Sequence, residues 1–193
     1  MQHRARAASQ IMFLLAWAVG ISIVFLGAVC PRVQGGWVSV VTQVLAYGLI
    51  ALPAFLLRPP VDLPLGLTPR VPVVAAVLIV AATVFRGAFG PASLSDVLQH
   101  VARSVSAGVG EELLFRGALF SRLRMLIGSA VLQDLVGGLS FAGFHIPVVV
   151  ITHDAPVVLA VTFALGVLFS ILRRLSRGLL LPVALHVAVD ISG

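Results

Sequence analysis

The stretch IMFLLAWAVGISIVFLGAV, residues 11–29, contains nineteen consecutive residues without an ionisable side chain. A helix rises 1.5 Å per residue, so a run of this length comes close to spanning the ~30 Å hydrocarbon core of a bilayer. The apolar region of a secretory signal peptide is shorter, about 7–15 residues. We therefore predict that this segment is a retained first transmembrane helix.

The rest of the chain has the same apolar character. Of its 193 residues, 60% are hydrophobic and 10% are charged, whereas a soluble domain has about 25% charged residues. This composition excludes a soluble globular domain, a disordered tail and a nucleic-acid-binding module. Six further apolar segments are predicted to be helices, at about 37–57, 71–85, 95–125, 130–151, 156–172 and 179–191. The predicted fold class is all-α, a polytopic membrane bundle of about seven transmembrane helices.

Local signals predict where some of these helices begin and end. Ser95 or Asp96 is predicted to cap the fourth helix, because both residue types are favoured at that position. Pro147 is predicted to end or kink the fifth helix, since proline lacks the backbone N–H. The seventh segment is short for a full crossing, at about 22 Å of helix.

The basic residues, all thirteen of them arginines, predict the orientation in the membrane. If seven helices alternate in direction, nine arginines fall on one side and two on the other. Because cytoplasmic loops carry the excess of basic residues, we predict a cytoplasmic N-terminus and an outside C-terminus. The short chain and its arginine-only basic composition favour a bacterial cytoplasmic membrane. The nine are Arg4, Arg6, Arg58, Arg70, Arg122, Arg124, Arg173, Arg174 and Arg177.

Three ionisable residues lie together in the fourth predicted helix. A charged side chain at the centre of a transmembrane helix costs about 2.5–3.5 kcal/mol on insertion scales, so such residues usually pair, line a cavity or take part in chemistry. Glu112 and Arg116 are four residues apart and can form an ion pair on one helix face. Glu111 lies about 100° around the helix and is left to accept a proton from water. The alternative is a buried structural network without chemistry.

Two further clusters interrupt the apolar background. His145 ends the sequence Phe-Ala-Gly-Phe-His at 141–145, and His186 precedes Asp190 by one helical turn in the seventh segment. Each histidine alone is more often a hydrogen-bonded packing residue. Taken with Glu111, however, they place acid and imidazole groups on three apolar helices, and these groups can bind or activate water. We predict that they meet around one hydrated cavity.

These three clusters resemble the EExxxR, FxxxH and Hxxx(N/D) motifs of the CPBP family. This family comprises the CAAX-protease and bacteriocin-processing (ABI) intramembrane endopeptidases. The order and spacing of the motifs agree, and the resemblance covers about residues 105–191. It implies one continuous membrane domain in which 1–95 contains three N-terminal helices and 96–193 forms the catalytic helical core.

The resemblance also implies a role for each motif residue. Glu111 would be the general base, and His145 would help to hold and activate the attacking water. Glu112 and Arg116 would form a supporting pair. His186 and Asp190 would bind the developing oxyanion or place the water. Many eukaryotic CAAX endopeptidases have asparagine where this chain has Asp190, and an ionised aspartate cannot donate a hydrogen bond to an oxyanion.

The cofactor and the function stay open to alternatives at this stage. No cofactor is assured: Glu111, His145, His186 and Asp190 could instead ligate a divalent metal such as Zn²⁺, although we favour metal-independent activation of water. The expected partners are a peptide or protein substrate at the membrane and the lipid bilayer, without nucleic acid. The alternatives are a non-catalytic bacteriocin-immunity or scaffold protein and a proton-coupled transporter. A transporter would more naturally show inverted repeats, and the sequence contains none that we can find.

Overall fold

The computed structural model describes residues 2–25, 36–57, 70–89, 93–153 and 155–192, and these contain helices but no strand. They form seven successive helical segments, which confirms the predicted all-α bundle. We number them α1 to α7, and α4 (94–126) has three consecutive parts. The bounds are α1 Gln2–Val24, α2 Gly36–Ala51, α3 Arg70–Phe89, α4 Leu94–Glu112, Leu113–Leu119 and Phe120–Leu126, α5 Ala130–Thr152, α6 Val157–Leu175 and α7 Leu180–Ser192, with a short helix Pro53–Leu56 after α2.

Five of these segments are long and apolar enough to cross a membrane: α1, α2 with its short extension, α3, α5 and α6. The other two depart from this pattern for different reasons. The helix α4 carries the ionisable cluster, and α7 is apolar but has only 13 residues. Large apolar side chains also cover the outer surface; on α3, for example, Val77, Val80 and Val84 are all more than 60% exposed. Lipid rather than water is the natural solvent for such a surface, so the chain is a multi-pass membrane protein.

The start of α4 differs from the prediction. Its cap is Ser93, two or three residues before the predicted Ser95 or Asp96. The Ser93 hydroxyl accepts a hydrogen bond from the Asp96 backbone N–H at 3.3 Å, and the Asp96 carboxylate accepts one from the Ser93 N–H at 3.1 Å. Asp96 is therefore the second half of a capping box rather than the cap itself.

Other predicted ends also shift. Helix α5 continues through Pro147 to Thr152, so the prediction that this proline ends the helix is wrong. Membrane helices tolerate an interior proline because neighbouring groups satisfy the freed carbonyl. Helix α1 begins at Gln2, ahead of the apolar run. Residues 26–29 of the predicted first helix lie outside the described residues.

Small residues allow the helices to approach closely. The helices α5 and α6 form an antiparallel hairpin in which a Cβ atom at Gly166 would lie 2.9 Å from the Gly138 Cα. Helix α4 packs against α2 on one side and α7 on another, and α7 packs in turn against α3. The main core lies between α1, α4, α5 and α6. Its large buried members include Leu14, Leu114, Phe115, Phe141, Phe144 and Phe169.

The middle of α4 is a π-helix over Leu113–Leu119. Such segments are uncommon and occur frequently at functional sites. Glu111 and Glu112 are the last two α-helical residues before it, and Arg116 lies inside it. The ionisable cluster therefore coincides with the point where the helix changes its hydrogen-bonding pattern.

Candidate active site

The predicted site residues meet in one cavity of about 240 Å³. Its walls come from α1, α2, α4, α5 and α7, so two of the three N-terminal helices also contribute. Glu111, His145, His186 and Asp190 all line it. The remaining lining residues are Ser22, Phe25, Ala46, Tyr47, Ile50, Phe144 and Val148. Acid and imidazole groups that are far apart in the sequence thus share one space within the bundle.

The Glu112–Arg116 pair is buried behind the site and contacts it through His186. An Arg116 guanidinium nitrogen lies 2.9 Å from Glu112 Oε1, and neither side chain is more than 1% exposed. A second guanidinium nitrogen donates a hydrogen bond to the Gly166 carbonyl at 2.7 Å. The guanidinium carbon also lies 4.6 Å from the centre of the Phe141 ring. The pair predicted from the i, i+4 spacing is therefore held by two further neighbours, Gly166 and Phe141.

Each histidine of the cavity is held through its Nδ1 atom. In His145 this atom lies 2.8 Å from the Phe141 carbonyl oxygen, and in His186 it lies 3.0 Å from Glu112 Oε1. A carbonyl or carboxylate oxygen accepts hydrogen bonds, so both imidazoles donate from Nδ1. A neutral ring that carries its proton on Nδ1 has a lone pair on Nε2.

Both Nε2 atoms face the same carboxylate oxygen. Glu111 Oε2 lies 3.8 Å from His186 Nε2 and 4.0 Å from His145 Nε2. These separations are too long for direct hydrogen bonds. Glu111 Oε2 is buried and has no hydrogen-bond partner among the residues that the structure describes. The arrangement therefore places three acceptor atoms around a gap, and a water molecule in that gap can donate its two hydrogens to two of them.

Asp190 lies at the rim of this group. Its Oδ2 atom is 3.7 Å from His186 Nε2, and its side chain is 34% exposed. His100, to which the sequence analysis assigned no role, donates from Nε2 to the Asp190 backbone carbonyl at 3.0 Å. This contact ties the end of α7 to the first turns of α4 and so holds the aspartate at the cavity.

Tyr47 on α2 belongs to the site but to none of the sequence motifs. Its side chain lines the cavity together with Glu111, and its hydroxyl interacts electrostatically with the Glu111 carboxylate. Helix α2 approaches α4 closely here because Gly110 has no side chain: a Cβ atom at that position would lie 2.8 Å from the Tyr47 carbonyl oxygen. The available sequence signal is weak, since Tyr47 is merely the one tyrosine of the chain in an otherwise apolar helix.

The donor spacing does not match a preformed zinc site. Two ligand atoms that both bind a tetrahedral Zn²⁺ at ~2.0–2.1 Å lie roughly 3.4 Å apart. The Nε2 to Oε2 separations of 3.8 and 4.0 Å exceed that value. Within the described residues, no group of three or more His, Cys, Asp or Glu side chains is placed to hold a metal ion.

The cavity and the arginines lie toward opposite ends of the bundle. Ser22, Val148 and Asp190 line the cavity and lie near the C-terminal ends of α1, α5 and α7. Arg124, Arg173 and Arg174 lie at the other end, near the C-terminal ends of α4 and α6. The cavity therefore lies toward the end of the bundle that is away from Arg124, Arg173 and Arg174.

Comparison with known proteins gives one match. Residues 91–192, more than half of the chain, match the family model described as Type II CAAX prenyl endopeptidase Rce1-like. No curated protein and no solved structure matches the chain. The matched region includes α4 to α7, and with them Glu111, His145, His186 and Asp190. Tyr47 and Ser22 lie outside it.

Proposed function

The chain belongs to the Rce1-like family of type II CAAX prenyl endopeptidases, and on this premise we propose that it hydrolyses a peptide bond of a membrane-associated peptide or protein. Family membership indicates a peptidase. The observation that best supports the finer proposal is the approach of two imidazole Nε2 atoms to Glu111 Oε2 within 4.0 Å, in a single cavity. The water molecule that attacks the peptide bond is proposed to lie between these three atoms.

In this proposal Glu111 is the general base. Its carboxylate accepts a proton from the water as the water oxygen bonds to the peptide carbonyl carbon. The proton then passes to the leaving amine as the C–N bond breaks, so the carboxylate is regenerated. The second hydrogen of the water is donated to Nε2 of His145 or of His186, and the two rings together confine the position of the water. General acid–base catalysis of this kind typically contributes about 10²–10⁴-fold.

The buried pair acts on the reaction through His186. Glu112 accepts a hydrogen bond from His186 Nδ1, and Arg116 donates a hydrogen bond to Glu112. This chain of contacts sets both the tautomer and the ring orientation of His186, as partners of functional histidines commonly do. Asp190 is proposed to orient the other edge of the same ring rather than to donate to an oxyanion.

Metal-independent activation of water is also part of the proposal. If a divalent ion were bound, Glu111, His145, His186 and Asp190 would have to hold it, and their spacing does not fit a tetrahedral ion. We expect the purified protein to contain less than 0.1 metal ion per chain by elemental analysis and to remain active in a chelator. Stoichiometric zinc together with loss of activity on chelation, restored by zinc, would overturn this part of the proposal.

The proposed orientation follows from the arginines. The end of the bundle that carries Arg4, Arg6, Arg124, Arg173 and Arg174 is proposed to face the cytoplasm of a bacterial cell. The N-terminus would then be cytoplasmic, and the catalytic cavity would open toward the outer half of the membrane.

The function is tested by cleavage. The purified chain, in detergent or in proteoliposomes, is incubated with a library of membrane-associated peptides, and products are identified by mass spectrometry. We expect cleavage at defined peptide bonds. If the chain binds peptides or partner proteins but cuts none of them, the peptidase proposal is wrong and an immunity or scaffold function is favoured. Proton-coupled uptake by proteoliposomes without cleavage would favour a transporter.

Tyr47 is proposed as a positioning residue for Glu111. The substitution Tyr47→Phe keeps the ring and removes the hydroxyl that is proposed to bond the Glu111 carboxylate in the cavity that both residues line. Net hydrogen bonds to charged groups contribute about 1.5–3 kcal/mol, so we expect kcat to fall roughly 10–100-fold. KM should change less than threefold, and the pH profile of kcat should shift, because the base has lost a partner.

A matched control uses the same cavity. Ser22→Ala removes a hydroxyl from another lining residue that has no recorded contact with Glu111, and we expect its kcat to stay within twofold of wild type. A Tyr47→Phe variant with wild-type kcat and an unchanged pH profile would contradict the positioning role, even if its thermal stability were lower.

A further inference from the structure

A second cavity lies at the arginine-rich end of the bundle and has a volume of about 490 Å³. Four guanidinium groups line it. We call it the arginine cavity, and its polar lining residues are Arg124, Gln133, Arg173, Arg174 and Arg177. No acidic residue is present among the lining residues that the structure describes.

The arginine cavity lies at the depth of the membrane–water interface. Arg124 is two residues from the end of α4, Arg173 and Arg174 are in the last turn of α6, and Ala130, which also lines the cavity, is the first residue of α5. His145 is fifteen residues further along α5, which corresponds to roughly 22 Å of helix. The arginine cavity is therefore separate from the catalytic cavity.

The positive charge of this cavity comes from four arginines that differ in their burial. Arg174 forms an ion pair with Asp134 at 2.5 Å. Arg173 also lines the cavity and is only 8% exposed, which is unusual because arginine is seldom so deeply buried. Arg124 and Arg177 are exposed and extend the positive charge to the mouth. Guanidinium groups gathered in one cavity repel each other, so an anion placed among them is stabilised.

Two backbone features contribute to the arginine cavity. The first turn of α5 contributes Ala130 and Gln133 to the wall, and the N-terminal turn of a helix carries partial positive charge. Arg177 has a φ of 53°, in the left-handed region that is uncommon for residues other than glycine. The short turn between α6 and α7 thus holds Arg177 in an unfavourable backbone conformation while its side chain lines the cavity.

We propose that the arginine cavity binds a phosphate ester, the headgroup of an anionic phospholipid. The planar guanidinium fork matches phosphate oxygens in a two-point contact. Basic pockets between transmembrane helices at this depth bind lipid headgroups of this kind. The cavity is large enough for a phosphate together with the groups esterified to it, and its position at the ends of three helices leaves the acyl chains free to lie along the apolar outer surface.

The test measures lipid binding to the full chain in a neutral detergent. Phosphatidylglycerol, phosphatidylcholine or inorganic phosphate is titrated, and bound ligand is counted by native mass spectrometry. We expect one phosphatidylglycerol per chain, bound at least tenfold more tightly than phosphatidylcholine. Each arginine near an anionic headgroup contributes roughly fivefold to affinity, so Arg124→Gln with Arg177→Gln should weaken phosphatidylglycerol binding by about 25-fold. Both side chains are exposed, so the double variant should keep its fold.

The chain offers a matched control at the same end of the bundle. Arg4 and Arg6 are exposed on α1 and do not line the cavity. Arg4→Gln with Arg6→Gln removes the same amount of charge, and we expect the affinity for phosphatidylglycerol to change less than twofold. Equal weakening by the two double variants would overturn the proposal, because general attraction would then explain binding. Equal affinity for the two lipids would also overturn it. Inorganic phosphate that binds as tightly as phosphatidylglycerol would assign the cavity to a soluble phosphate ester instead.

Discussion

Replacement of Glu111 by glutamine is expected to lower kcat/KM for peptide cleavage by about 10²–10⁴-fold. Glutamine has nearly the same shape as glutamate but cannot take a proton from water at neutral pH. The atom at the Oε2 position would still lie near His145 and His186, so the cavity should keep its shape. Folding should be preserved, because Glu111 is not part of the Glu112–Arg116 pair.

The measurement is single-turnover cleavage of a peptide that the wild-type chain cuts, with thermal unfolding in the same detergent to verify the fold. Asp96→Asn is a suitable control because it makes the same acid-to-amide change on the same helix, in the capping box remote from the cavity. Its activity should stay within twofold of wild type. Undiminished cleavage by a folded Glu111→Gln variant would exclude Glu111 as the base.

The fold was largely predictable because five of the seven helices are long apolar segments bounded by turn-forming or charged residues. The errors fall where local chemistry is ambiguous. Ser93, Ser95 and Asp96 are all good caps, and the sequence alone does not show that Ser93 and Asp96 bond each other. Pro147 would usually end a helix in water, whereas within the bilayer the cost of an unsatisfied backbone keeps the helix intact.

Those site residues could be predicted whose side chains are ionisable in an otherwise apolar background. Charged residues and histidines in apolar helices are costly, so Glu111, His145 and His186 could be identified without any knowledge of how the helices cross. Their catalytic roles remain predictions. The contact of His186 with Glu112 could not be foreseen, because it depends on the packing of α7 against α4.

Tyr47 was missed for a related reason. A single tyrosine in an apolar helix usually lies at the membrane interface with its hydroxyl in water. Its inward position depends on the close approach of α2 and α4 at Gly110, which the sequence does not reveal.

The second large effect is expected from Arg116→Met. The substitution removes a fully buried cation and leaves the Glu112 carboxylate, which is 0% exposed, without its guanidinium partner. Removing one member of a buried ion pair typically costs about 3–5 kcal/mol, because the remaining charge is uncompensated. The Gly166 carbonyl also loses a donor, but it keeps the Ser170 hydroxyl at 3.0 Å. We expect the free energy of unfolding, measured in mixed micelles, to fall by this amount. Arg124→Met, at an exposed position of the same helix, should change it by less than about 0.5 kcal/mol.

A second variant separates stability from function. Glu112→Leu combined with Arg116→Met replaces both charges by apolar groups, and such replacements are often neutral or even stabilising. We expect the double variant to recover most of the stability lost in Arg116→Met. It should nevertheless cleave peptides at least tenfold more slowly than wild type, because His186 Nδ1 has lost the carboxylate that fixes its tautomer. Recovery of both stability and activity would show that the pair is only structural. Recovery of stability alone would show that a costly buried charge pair is retained in this bundle because it orients His186.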